Sequence, residues 1–155
     1  MLSRTVVDYL KECGAEYTVL AHTHSESTEG TAQAAHVSPD HVAKGVVLID
    51  ESGPVLAVVP GDQWLRVHAV QELLNRTVEI AAEADLGSVL SDCELGAVPP
   101  LGPAFGIETV VDQQLFDLAR VFLEGGDHEH LIAVSGEAFA RLFAGARRGH
   151  IAETL

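Results

Sequence analysis

The sequence predicts an α+β fold: a single domain with a mixed, largely antiparallel sheet and helices around it. Three observations carry this reading. Strand-length apolar runs and helical repeats are interspersed, but hairpin-like pairs dominate over strict strand–helix alternation. The composition, 47% hydrophobic and 21% charged, is that of a soluble globule able to bury a core. No internal repeat, linker or low-complexity tract divides the chain, so residues 1–155 read as one domain.

The elements follow in order. Ser3 caps a first helix that runs to about Cys13, with Val6, Val7 and Leu10 on one face and Gly14 as its stop. Residues 16–20 alternate like a short strand, and residues 21–30 form a polar loop. Thr28 or Thr31 then caps a short helix through His36, and Ser38-Pro39-Asp40 marks a helical restart. Residues 46–50 and 54–59 flank Glu51-Ser52-Gly53 as a β-hairpin, which Pro60-Gly61-Asp62 ends. Val67, Val70, Leu73 and Leu74 recur at helical spacing as far as Asn75. A strand is expected at 77–80 and a helix at 83–90. Short strands are expected at 109–111, 121–123 and 130–134, the last entered through Gly125-Gly126-Asp127. Ser135 caps a final helix to about Ala144, with Phe139, Leu142 and Phe143 facing inward.

Nine basic residues against twenty-three acidic ones give a formal charge of −14, which argues against a broad basic surface for nucleic acid. A partner whose end enters a pocket needs only a few local cations, so that class stays open. Arg141, Arg147 and Arg148 read as a solvated helix face. Cys13 and Cys93 are the only cysteines, as in a reduced protein without a disulfide framework, and small buried core residues are their plainest role. The longest apolar runs are strand-length, no membrane partner is expected, and residues 1–10 lack a secretory pattern. The expected location is the cytoplasm.

Two segments stand out chemically. Lys44, one of two lysines, stands before the β-branched and aliphatic run 46–49. A cation there is costly unless it meets an anion or a carbonyl, although a lysine stem can also cover apolar surface with its ammonium in water. The Gly- and Pro-rich segment 96–106 can present fixed backbone N–H groups, for instance those of Gly96, Ala97 and Val98, to a carbonyl or oxyanion. A chain crossing a sheet edge accounts for its composition equally well. His22-Thr23-His24 and His128-Glu129-His130 each put two imidazoles at alternate positions, and Glu26 is near the first pair. Neither pair has the helix or cysteine context of a strong metal motif, so no metal and no cofactor is expected. No nucleophile elbow, phosphate loop or dinucleotide fingerprint is present, and neither cysteine has a histidine close in sequence.

Taken in order, Ala43-Lys44-Gly45-Val46-Val47-Leu48, Pro60-Gly61-Asp62, the segment from Asp92 through Gly96-Ala97-Val98-Pro99-Pro100-Leu101-Gly102, and Val110-Val111-Asp112 resemble the YbaK/prolyl-tRNA synthetase editing-domain family. Gly126-Asp127-His128 matches the Gly-Asp-His segment of its free-standing members. The resemblance implies an α+β fold around a barrel-like sheet and hydrolysis of the ester joining a wrong amino acid to the 3′ end of a transfer RNA. It implies that Lys44 holds the terminal phosphate or the carbonyl region, that backbone at Gly96 polarises the ester, and that water is the nucleophile. His128 would orient the amino acid or the water. Ser27, Thr28, Ala97, Val98, Pro100, Gly102 and Asp127 would complete the substrate site, with mischarged tRNA, and a synthetase that delivers it, as partners. Gly45 stands where some relatives carry a polar residue. The alternative is a non-catalytic module of the same fold that binds an aminoacyl-like ligand or a protein.

Overall fold

The structure, a computed structural model, describes residues 1–82 and 89–154. Helix α1, Arg4–Glu12, starts where the Ser3 side chain accepts the N–H of Val6, and it buries Val6 and Leu10. Strand β1 is Thr18–Ala21. Helix α2, Thr28–Ala34, is capped by Ser27, which accepts the N–H of Gly30, in place of the expected Thr28 or Thr31. The extended backbone of Ser27 suits a cap, whereas Thr28 and Thr31 already lie within the helix. A 3₁₀ turn, Pro39–His41, leads into β2, Val42–Asp50, which pairs along its length with β3, Gly53–Pro60.

Next come β4, Trp64–Leu65; α3, Val67–Leu74; and β5, Glu79–Ile80. The expected helix at 83–90 falls almost wholly outside the described residues; Val89 and Leu90 form a turn. A 3₁₀ turn, Gly102–Phe105, precedes β6, Glu108–Asp112, and β7 is Arg120–Glu124. Strand β8, His130–Ser135, is followed by α4, Gly136–Leu142, which Ser135 caps by accepting the N–H of Ala138. Two short strands end the chain, β9, Arg147–Gly149, and β10, Ala152–Glu153.

The main sheet runs β1-β8-β7-β2-β3-β6-β9, with β5 added to β2. Antiparallel pairs form its hairpins, while β2–β7, β3–β6 and β6–β9 are parallel. The sheet is mixed as expected, but it does not close into a barrel: β1 and β9 are the free ends of its path. Strand β3 is buried on both faces, which explains its unbroken apolar run. Leu56 and Val58 join the core with Val6, Leu10, Phe139 and Phe143, and Val55, Ala57 and Val59 join the one with Val70, Leu74 and Ile151.

Two expectations near the ends of strands need correction. Lys44 lies inside β2 and pairs with Val59, because Val42 and Ala43 extend the strand by parallel pairing with Phe122 and Leu123. Arg147 and Arg148 belong to β9 and not to a helix face. The Arg148 guanidinium sits 3.6 Å from the Phe116 ring centroid, and Arg147 donates to the Leu73 carbonyl at 3.0 Å.

Asp112 at the end of β6 fastens the C-terminal segment. One carboxylate oxygen accepts the backbone N–H groups of Ile151 (3.0 Å) and Ala152 (2.9 Å), and the other accepts from Gln114. The side chain is buried, so its removal strands donors away from water. Asp112→Ala is expected to lower the unfolding free energy by roughly 3 kcal/mol in urea titration, with Ile151 and Ala152 losing amide-exchange protection first.

Candidate active site

The residues expected to carry chemistry converge where β2 is shared unequally by its neighbours. On one edge, β2 pairs with β7 at Val42 and Ala43 and with β5 at Leu48 and Ile49. Between them, at residues 44–46, that edge has no strand pairing among the described residues. A small cleft opens there, walled by Ser25, Ser27 and Thr28, by Lys44 and Gly45, by Gly96 and Val98, and by Glu124 and His128.

Lys44 is half-buried, and its Nζ donates to the Gln63 carbonyl at 3.0 Å. Burial pushes the ammonium pKa below its ordinary 10.5, while the nearby carboxylates of Asp62 and Glu29 pull it back up. The opposite wall is held by close packing. A side chain at Gly45 would come within 3.4 Å of the Pro100 Cα and 3.2 Å of Leu56, so glycine lets the 96–100 segment press onto β2. A polar side chain at this position would meet that segment.

Gly96 turns at φ +86°, and a Cβ there would lie 3.2 Å from His128 Cε1. His128 is only 3% exposed and has φ +64°; its Nε2 lies 2.7 Å from the Leu95 carbonyl. A carbonyl can only accept, so Nε2 carries the proton and Nδ1 carries the lone pair when the ring is neutral. The His24 ring lies beside it, with centroids 5.1 Å apart. A second tie between the two loops is the Glu94 N–H to the Gly126 carbonyl at 2.8 Å. His128 therefore holds the lip of the cleft at Leu95 and Gly96.

Lys44, Gly96, His128, Ser27, Thr28 and Val98 share this one cleft. Ala97, Pro100, Gly102 and Asp127 are not among its walls. Ala97 is buried, Pro100 packs on Gly45, and a side chain at Gly102 would overlap the Thr109 hydroxyl. Asp127 is 1% exposed. Its carboxylate accepts the N–H groups of Glu129 and His130 and meets His130 Nδ1 (2.6 Å) and the Met1 α-amino group (2.8 Å). Burial alone would raise its pKa, but these donors hold it down at about 2.

Glu124 was missed in the sequence. Its Oε2 accepts the N–H of Gly126 at 2.7 Å and faces those of Asp127 and His128 at longer range, shaping the turn that carries His128. A charged residue directly after a predicted strand and directly before a Gly-rich turn was the available signal.

Two hydroxyls of the cleft bond to backbone: Ser25 donates to the Ser27 carbonyl, and Ser27 accepts from Gly30. Burial, with Asp92 beside it, pushes the Cys93 thiol up to about 12, so it is not a thiolate at neutral pH. Among the described residues no group of three or more His, Cys, Asp or Glu side chains could hold a metal ion. No described helix is long and apolar enough to cross a membrane.

Comparisons with known proteins agree with this architecture. A crystal structure of the hypothetical protein APE2540 superposes with a TM-score of 0.82 at 24% identity, covering 97% of this chain and 100% of that one. A protein proposed to be a trans-editing enzyme for prolyl tRNA synthetase superposes at 0.80 and 22% identity, covering 97% and 96%. A proposed signal transduction protein from Marinobacter aquaeolei VT8 superposes at 0.78 and 22%, covering 98% of this chain and 31% of that one. No curated protein matches in sequence. The aminoacyl-tRNA editing domain model matches residues 22–142, from the loop ahead of α2 to the end of α4, and the chain belongs to that family.

Proposed function

We propose that this protein is a trans-acting aminoacyl-tRNA deacylase, which hydrolyses the ester of a mischarged tRNA with water as the nucleophile. The observation that supports this most is the meeting of Lys44, the Gly96 turn and His128 in one cleft. Family membership supplies the substrate class. Water adds to the ester carbonyl, the bond from that carbon to the terminal ribose oxygen breaks, and the ribose hydroxyl and free amino acid leave. Lys44 holds the phosphate or carbonyl region of the tRNA end by charge, and the backbone around Gly96 lies against the acyl group. His128 fixes that backbone and is a positioning residue. With a net charge of −14, grip on tRNA phosphates away from the cleft is weak, so a synthetase or another carrier delivers the substrate.

A panel of mischarged tRNAs tests the reading: hydrolysis of at least one is expected, and none across the panel would sink it. Lys44→Ala should stay folded and lose about 100-fold or more in kcat/KM. The lowered Lys44 pKa sets a further expectation. As pH rises through it, the ammonium loses its proton, so the enzymatic rate, corrected for spontaneous hydrolysis, should fall below pH 10.5. Lys44→Arg should keep its charge and lose this alkaline fall, whatever its absolute rate. For the lip, Gly96→Ala forces a side chain onto His128 and an unfavourable backbone angle, and should reduce kcat about 10-fold or more with little change in KM.

A further inference from the structure

Beside the catalytic cleft lies a second hollow, of which the mechanism above uses Lys44 alone. It is lined by Ser27, Thr28, Glu29, Lys44, Gly61, Asp62, Gln63 and Trp64, so Ser27, Thr28 and Lys44 belong to both. Trp64 is the only tryptophan of the chain, and it is 58% exposed on the two-residue strand β4. Its backbone is fixed by antiparallel pairing with Glu153, and Leu65 pairs with Ala152. The neighbouring Gly61 is pinned by its N–H to the Val42 carbonyl at 2.7 Å. A large indole face is thus held in the open on rigid backbone, next to the one lysine of the cleft.

The chemistry of this hollow selects among ligands. An exposed indole offers a flat face for stacking any nucleobase. Glu29 and Asp62 accept hydrogen bonds from ribose hydroxyls or an exocyclic amine, while they repel groups rich in phosphate. A single ammonium, Lys44, marks the boundary with the acyl cleft. We propose that this hollow is the subsite for the terminal nucleoside of the tRNA, with Trp64 as the platform on which its base stacks. The proposal rests on the deacylase reading for its substrate and adds the residue that recognises the base. The ester then reaches past Lys44 toward Gly96 and His128, and the base stays behind on the indole.

Because Trp64 is the sole tryptophan, its fluorescence reports on this hollow directly. Adenosine titrated into the wild-type protein should quench it saturably, and ribose 5-phosphate, which lacks a base, should not. In deacylation assays Trp64→Ala should raise KM about 10-fold with little change in kcat, and Trp64→Phe should recover most of the loss. An unchanged thermal transition in both variants separates this from misfolding. Absence of saturable quenching by adenosine, equal quenching by ribose 5-phosphate, or an unaltered KM in Trp64→Ala would each overturn the proposal. Quenching is read without turnover, so the two readings fail separately. A protein that is quenched by adenosine but hydrolyses no mischarged tRNA keeps the subsite and loses the deacylase assignment. One that hydrolyses without quenching does the reverse.

Discussion

The site depends on the pressure of one irregular segment against one strand. Residues 96–100 lie on β2 at the position of Gly45, where a side chain would be tightly packed between Leu56 and Pro100. Ala97, Pro99, Pro100 and Leu101 are buried, so the segment is anchored by its own apolar side chains. Its far end is tied through the Leu95 carbonyl to His128 and through Glu94 to Gly126. Prolines suit this course because their fixed φ lowers the conformational entropy lost when the segment is laid down. Were the segment displaced, Gly96 and Val98 would leave the cleft, and Lys44 would face open solvent. The cleft is therefore a property of packing first and of charge second.

Three aspartates hold the frame around that packing. Asp92 accepts the Ser3 hydroxyl (2.9 Å) and the Thr5 N–H (2.8 Å), fastening the start of the loop to the first turn of α1. Asp112 fastens the C-terminal segment, and Asp127 fastens the turn before β8. Burial works against charge at Asp92, yet the Thr5 and Ser3 donors keep its carboxyl below the usual range. Each carboxylate replaces a backbone acceptor where the chain leaves regular structure, and each stands in a segment that carried the resemblance to the family. A motif residue in such a family can therefore belong to architecture, as Asp127 does, while its neighbour His128 reaches the cleft.

Local signals in the sequence were good guides wherever one element decided the outcome. Ser3 and Ser135 cap their helices and the 51–53 turn joins two strands, while the meeting of Lys44, Gly96 and His128 was implied by the resemblance to the family. What escaped was set by partners distant in sequence. The start of β2 was misplaced because parallel pairing with β7 draws Val42 and Ala43 into the sheet, and no local pattern encodes that. Strands β4, β9 and β10 are too short for alternation to show, and each exists only through its partner. The open sheet could not be told from a barrel, because closure depends on whether the terminal strands meet. Trp64 escaped for a similar reason, since its significance comes from a hollow completed by Ser27, Thr28, Glu29 and Lys44, whereas Glu124 bonds within its own turn and its signal was local.

Charge is the last piece of the architecture to place. On the proposed reading, an acidic protein that handles the end of a polyanion faces repulsion everywhere except at the point of contact, and the cleft offers one lysine for that contact. Glu29 and Asp62 lower the net positive field there, and they also favour the protonated Lys44 that burial opposes. The result is a weak, short-ranged cationic spot between the cleft and the hollow beside Trp64. As proposed, such a spot discriminates by position: a group must arrive with a base on one side and an ester on the other to use both hollows. On this view the scarcity of basic residues is itself part of the selection. Broad electrostatic affinity would hold every tRNA, and a deacylase acting after charging gains from holding only an end that fits.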